Sequence, residues 1–317
     1  MIPVDDYVAF LEGDYLRGYV ENGGAALKFV VPPDDLSAAA FIERFAASAE
    51  RAGFGVAKVN AVDTRVHLLE QVFFAVARQV DWDGLATVAT RAALASAGYP
   101  ATPDGPVALD GLAAHYRVEP GELKRDVDRQ LQERVHRDYA MVQELRTAML
   151  RLCQSQLRSG QVVDAEHTAV LDWLRGDLRQ ISALKSALIF RRIGRHNARH
   201  LLFSLAHWLA VNEHAGLAIV LDIRRLGFAR RPGPEERTGH YYTKSALLDA
   251  YEVLRQLVDN TDEMSNCIVV VVGSPAFLSD TPRGLDAYQA LKLRIFDEVR
   301  DVNRDNPFSS LVRLGAA

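Results

Sequence analysis

The sequence predicts an α/β fold in which a parallel sheet is flanked by helices and interrupted by an all-helical insertion. Three observations carry this. The strand-like run Ala26–Val31, the amphipathic run Ala38–Ala52 and the strand-like run Gly55–Asn60 form a strand–helix–strand unit of about thirty residues, which makes its two strands parallel. Cys267–Val272 reads CIVVVV with no alternation, the pattern of a strand covered on both faces. Gly216–Asp222 is a second apolar run, and it ends in a carboxylate.

Met1 to Asn22 reads as helical, with Tyr7, Val8, Phe10, Leu11, Tyr15, Leu16 and Tyr19 near helical spacing, and Gly23-Gly24 stops it. Pro32 and Pro33 end the first strand, because proline cannot donate to a ladder. Asp34, Asp35 and Ser37 are helix-start residues, and Gly53 closes the helix. A helix from about Val66 to Val80 follows. Gly98–Gly111, rich in Pro and Gly, is the best candidate linker. One long charged helix, or two, is predicted over Gly121–Leu157, with Val127, Leu131, Val135, Tyr139, Val142, Leu145, Met149 and Leu152 as its apolar stripe. Further helices are expected over Ala165–Leu174, Ile181–Phe190, Arg195–Asn212, Thr243–Leu257 and Leu285–Val302, and a polar loop over Gly227–Gly239. Residues 1–81 and 176–317 are expected to form the α/β core, and residues 82–175 the insertion.

The 317 residues suffice for one large domain or two small ones. A formal net charge of −4 gives the whole chain no drive toward nucleic acid or an anionic membrane, though a local basic face remains open. The N-terminus lacks a basic region followed by an apolar stretch, so it does not read as a signal peptide. The apolar runs are of strand length, so no membrane span is expected. Cys153 and Cys267 show no metal-binding spacing and read as buried free thiols, which fits a reducing cytoplasm.

Ligands of open parallel sheets bind beyond the carboxyl ends of the strands. A P-loop NTPase places GxxxxGK[ST] at the first such end: its glycines let backbone N–H groups wrap the phosphates, its lysine reaches the outer phosphates, and its hydroxyl holds Mg²⁺. Here that stretch is Pro32-Pro33-Asp34-Asp35-Leu36-Ser37-Ala38-Ala39. It has no glycine, two residues without an N–H, two carboxylates that repel phosphate, and alanines at the lysine and hydroxyl positions. At the second end Asp222 is followed by Ile223, where an ATPase carries a second acid. The expected fold is therefore P-loop NTPase-like with altered nucleotide motifs.

Glu21–Val31 (ENGGAALKFVV) leading into Pro32–Ala39, the strand Leu217–Asp222, the helix Ala250–Leu257 followed by Ile268–Leu278 (IVVVVGSPAFL), and Arg283–Tyr288 with Arg294 together resemble the ATP-binding protein family of BREX (bacteriophage exclusion) and related bacterial defence systems. The resemblance covers most of the chain outside the insertion. It implies the P-loop fold and a place in a defence pathway; the expected partners are other proteins of such a system, with an intact ATPase homologue as one candidate. It does not imply the activity, because the family's two ATPase motifs are the parts replaced here.

Four core positions are site candidates, each with a plainer alternative. Asp222 is a metal-shell remnant or a structural acceptor. Ser274 stands where AAA-like ATPases keep a polar sensor, or is a turn residue before Pro275. Arg283 and Arg294 are arginine-finger candidates toward a neighbour's nucleotide, or salt-bridged surface residues. Arg191, Arg192, Arg195 and Arg199 on an expected helix, and Arg230 and Arg231 in the cluster that also holds Arg224, Arg225 and Arg237, are candidate phosphate contacts for DNA. His196, His200 and His207 fall near helical spacing, but no HExxH and no third ligand accompany them, so no metal is expected. No GxSxG elbow is present.

The reading is of a cytoplasmic pseudo-ATPase acting as a structural or regulatory subunit in a homo- or hetero-oligomeric defence assembly. No bound cofactor is expected, and ATP with Mg²⁺ enters only if a partner rescues the site. The alternatives are a DNA-binding module, and an ATPase completed in trans.

Overall fold

The computed structural model describes residues 1–101, 107–158, 165–228, 239–279, 282–296 and 305–316. The chain divides into two compact units, one of residues 1–79 with 214–317 and the other Val80–Glu213.

Along the chain, the first unit begins with α1 (Val4–Phe10), β1 (Ala25–Val31), α2 (Asp35–Arg51), β2 (Gly55–Asn60) and α3 (Leu69–Ala77). The second unit holds α4 (Trp82–Ser96), α5 (Leu109–Tyr116), α6 (Pro120–Leu131), α7 (Gln143–Gln156), α8 (Ala165–Arg175) and α9 (Ala198–Ala210). The first unit resumes with β3 (Leu217–Asp222), α10 (Lys244–Asp259), β4 (Cys267–Val272), α11 (Gln289–Ile295) and β5 (Leu311–Arg313). No helix among the described residues is long and apolar enough to cross a membrane.

Among the described residues the first unit has five strands, all parallel, in the order β2-β3-β4-β1-β5. β1, β3 and β4 are buried along their whole length, as their unalternating apolar runs require. The connection from β1 to β2 runs one way along the sheet, and those from β2 to β3, β4 and β5 run the other way. Right-handed crossovers therefore place α2 on one face and α3, α10 and α11 on the opposite face. On the α2 face, Ala26, Val30, Val220, Ile268 and Val270 pack with Phe41 and Phe45 of α2 and Tyr7 of α1. Each fully buried phenylalanine there contributes roughly 2–3 kcal/mol. On the other face Phe29 stacks on Phe277, which meets Tyr251 of α10 edge-on.

α1 continues without a break into a wide helix over Leu11–Val20, where amides reach back five residues, as in Glu21 N–H to Leu16 C=O at 3.0 Å. A Cβ on Gly18 would lie 3.0 Å from the Gly13 carbonyl, so the side-chain-free position permits this turn. The wide turn sets Tyr15 against Lys28, whose ammonium lies 4.3 Å from the ring centre and donates to the Phe308 and Ser309 carbonyls.

Several expected elements differ. Of the two alternatives over Gly121–Leu157 the two-helix one is found: the run divides between α6 and α7, where Asp138 Oδ1 accepts the Ala140 N–H at 3.1 Å and offers the backbone an alternative to the helical ladder. Tyr139 consequently points to solvent and leaves the apolar stripe. Ile181–Phe190 forms only a single 3₁₀ turn, Ile181–Leu184, because Leu188 takes a left-handed φ of 62° that no helix tolerates. The last helix begins at Gln289 rather than Leu285, and residues 297–302 of that prediction lie outside the described residues. The helical unit extends past residue 175 to Glu213.

Candidate functional site

β1 and β4 are neighbours whose following connections leave on opposite faces. The crevice beyond their carboxyl ends is thus the switch point at which ligands of such sheets bind. A cleft of about 490 Å³ opens there, lined by Pro32, Asp34, Asp35, Arg224, Phe228 and Ser274 among others.

The turn after β1 spends its polar groups locally. Pro32 and Pro33 have no N–H. Asp34 is the N-cap of α2: its Oδ1 accepts the Ser37 N–H at 2.7 Å, and this bond holds its carboxyl below the usual range. One of the amides that the first turn of α2 leaves without a helical partner is therefore occupied.

The end of β3 is equally committed. Asp222 is buried, and its carboxylate is gripped by Arg224, with Nε to Oδ1 at 3.0 Å and Nη2 to Oδ2 at 2.7 Å. Such two-point pairs are strong and directional. Oδ1 also accepts the Arg224 backbone N–H at 3.1 Å, and Asn60 Nδ2 lies 3.4 Å from Oδ2. The remaining Arg224 nitrogen, Nη1, reaches Asp35 Oδ1 at 2.6 Å, so the guanidinium bridges over the end of β4 to the start of α2. The hydrogen bonds to Asp222, more than the charges of Asp222 and Asp35, raise the arginine's pKa above its already high value. Sequence analysis grouped Arg224 with a basic cluster and missed this role. The signal was the Asp-x-Arg spacing at a strand end, which puts both side chains on one turn.

Ser274 lines the cleft at the end of β4, and its carbonyl accepts the Phe277 N–H at 2.9 Å. A Cβ on Gly227 would lie 3.2 Å from Ser274 Oγ, so the bare glycine lets the turn after β3 close against the turn after β4. Asp222, Ser274 and the turn after β1 are thus brought together. Arg283 is spent elsewhere, donating to the Leu226 carbonyl at 3.0 Å and the Tyr242 carbonyl at 2.7 Å, while its own carbonyl accepts the Tyr251 hydroxyl. It pins the segments before and after residues 229–238. Arg294 pairs with Asp259 in the last turn of α10 and donates to the Ala290 carbonyl, at the opposite end of α10 from the cleft.

In the helical unit, Arg191, Arg192 and Arg195 are exposed in the loop before α9 rather than on a helix, and Arg199 begins α9 half-buried. Arg191 Nη1 lies 3.7 Å from Glu144, and Arg192 donates to the Arg179 carbonyl. Arg230 and Arg231, with Arg237, lie outside the described residues. His196 precedes α9 while His200 is in its first turn, so the two do not share a helical face. His207 is bonded to Asp138 at 2.7 Å. Among the described residues no group of three His, Cys, Asp or Glu is placed to hold a metal ion.

One serine does meet a histidine. Ser155 Oγ lies 2.7 Å from His167 Nδ1, whose Nε2 lies 3.1 Å from Asp83 Oδ1. The serine stands in the last turn of α7, where the helix presents carbonyls and its negative end, the reverse of what an oxyanion needs. Its hydroxyl also faces the Leu152 carbonyl at 2.7 Å. The trio ties α4, α7 and α8 together.

Compared with known proteins, residues 109–316 match the model of a family described as BREX system ATP-binding protein BrxC/D. The matched stretch contains β3, α10, β4 and α11, and it excludes β1 and the turn after it. No curated protein and no solved structure matches significantly.

Proposed function

The chain belongs to the BREX system ATP-binding protein family, and from that membership we propose that it serves a phage-defence assembly as a structural or regulatory subunit that keeps the ATPase fold without turning over ATP. The observation that carries this reading is Arg224. Its guanidinium occupies Asp222, the carboxylate an ATPase uses in its metal shell, and extends to Asp35 in the stretch where a phosphate loop would lie. A nucleotide brings four negative charges to a cleft whose described lining sets the carboxylates of Asp34 and Asp35 against one cation, Arg224, itself already paired with Asp222. The turn below it has two prolines in place of donors. With Arg283 and Arg294 each bonded within the first unit, an arginine-finger role gains no support from their positions. Partners in this reading are other proteins of the same system.

Equilibrium dialysis against labelled ATP with Mg²⁺ tests the proposal. No saturable binding is expected up to about 1 mM, where the binding free energy is only about −4 kcal/mol. Micromolar affinity accompanied by release of phosphate would overturn it.

A further inference from the structure

Residues 178–212 of the helical unit carry Arg179, Lys185, Arg191, Arg192, Arg195 and Arg199 and no aspartate or glutamate. In the middle of this stretch two large apolar side chains face solvent, Leu188 at 61% and Phe190 at 65% exposure. They alternate with the buried Ala187 and Ile189, so the same short segment is anchored on one side and displayed on the other.

The display is held in place. Ile189 N–H donates to the Leu184 carbonyl at 3.2 Å, and Trp173 Nε1 donates to the Arg191 carbonyl at 2.9 Å. Asn197 accepts the Gly194 N–H at 2.8 Å and donates to the Arg192 carbonyl at 3.2 Å. Leu188 itself sits at φ 62°, a conformation that costs a leucine on the order of 1–3 kcal/mol. Strain of this kind persists where surrounding structure imposes it, and it is found at binding sites.

We propose that Leu188, Phe190 and the surrounding Arg191, Arg192 and Arg195 form a docking surface for a protein segment that carries carboxylates beside apolar side chains. The inference rests on the assembly reading above and locates a contact for it. An apolar centre with an arginine rim is the composition of protein–protein hot spots, and a preformed loop loses little entropy on binding. Charge complementarity selects an acidic occupant, since no carboxylate lies within the stretch itself. The apolar pair selects protein over nucleic acid. An aliphatic leucine offers bases no stacking face.

Three labelled probes, titrated into the full chain at about 150 mM salt, test this by anisotropy: a peptide alternating glutamate with leucine and phenylalanine, an oligoglutamate of equal charge, and a single-stranded oligonucleotide. The mixed peptide is expected to bind at least tenfold more tightly than the other two. Phe190→Ser and Leu188→Gly, both at exposed positions, should abolish that margin, and Arg191→Glu with Arg195→Glu should remove binding altogether. Equal binding of the two peptides, tighter binding of the oligonucleotide, no binding of any probe, or indifference to Phe190→Ser would each overturn the proposal. Nucleotide binding measured on the same preparations separates the two readings: ATP turnover with intact peptide binding overturns only the absence of turnover.

Discussion

The guanidinium of Arg224 and the carboxylate of Asp222, two residues apart, meet through parallel hydrogen bonds of 3.0 and 2.7 Å at the buried end of β3. The pair converts a strand-end acid into a structural acceptor. Removing one member leaves a desolvated charge behind, so Arg224→Ala is expected to lower stability by about 3 kcal/mol. The double variant Arg224→Met with Asp222→Asn should recover most of that loss. Urea denaturation of both variants checks the coupling, and equal losses in the single and double variants would mean that the pair is not what holds this corner.

The hydroxyl of Tyr7 is buried in the α1–α2 core and finds no hydrogen-bond partner among the described residues, and burial drives its pKa upward. Tyr7→Phe keeps the stacking on Phe41 and removes an unsatisfied polar atom. It is expected to stabilise the protein by about 1 kcal/mol, read as a higher urea midpoint at unchanged slope.

Glu252 on α10 accepts hydrogen bonds from Arg255, and then from Tyr288 and Gln256, which hold its pKa down to about 2. Its folded value lies below the unfolded value of about 4.3. The stabilisation it gives is therefore complete above about pH 4.3 and disappears as pH falls toward 2. Glu252→Gln should flatten the decline of stability between pH 4.5 and 2. A variant with the same slope as the parent would exclude this group as its source.

Cys153 and Cys267 are buried, and desolvation pushes both thiols up to about 12. Neither should be alkylated by iodoacetamide at pH 8 in the folded protein, and both should react in denaturant. Rapid native labelling of either would show local opening of its helix or strand.

β1 to β4 were legible because each is a short run with Gly, Pro or Asp at an end and a mostly apolar pattern, whereas the three-residue edge strand β5, Leu311–Arg313, was not read from the sequence. The βαβ unit and CIVVVV needed no tertiary information. What failed was local competition. The choice between one helix and two over Gly121–Leu157 turned on an Asp138 side-chain bond that periodicity does not register, and Leu188 left the helical region despite a good helical composition around it. At the candidate site the glycine-free turn after β1 was visible residue by residue, and so was the lone acid at 222. The bridge by Arg224 was not, because it joins turns that are adjacent only once β4 lies between β3 and β1. Arg283 shows the same limit: as a sequence position it is a free cation, and in the fold it is a clamp on the Leu226 and Tyr242 carbonyls.

The Arg224 bridge also acts as an evolutionary ratchet. A lysine installed at Ala38 would have to enter the apolar core in which that alanine is fully buried, and loss of the Arg224 side chain first would leave Asp222 with only the backbone N–H of residue 224 and Asn60. Glycines at Pro32 or Pro33 would free amides for a cleft whose acid is already taken. The Ala38 and Arg224 steps, each taken alone, leave a buried charge poorly partnered and so pass through a less stable protein.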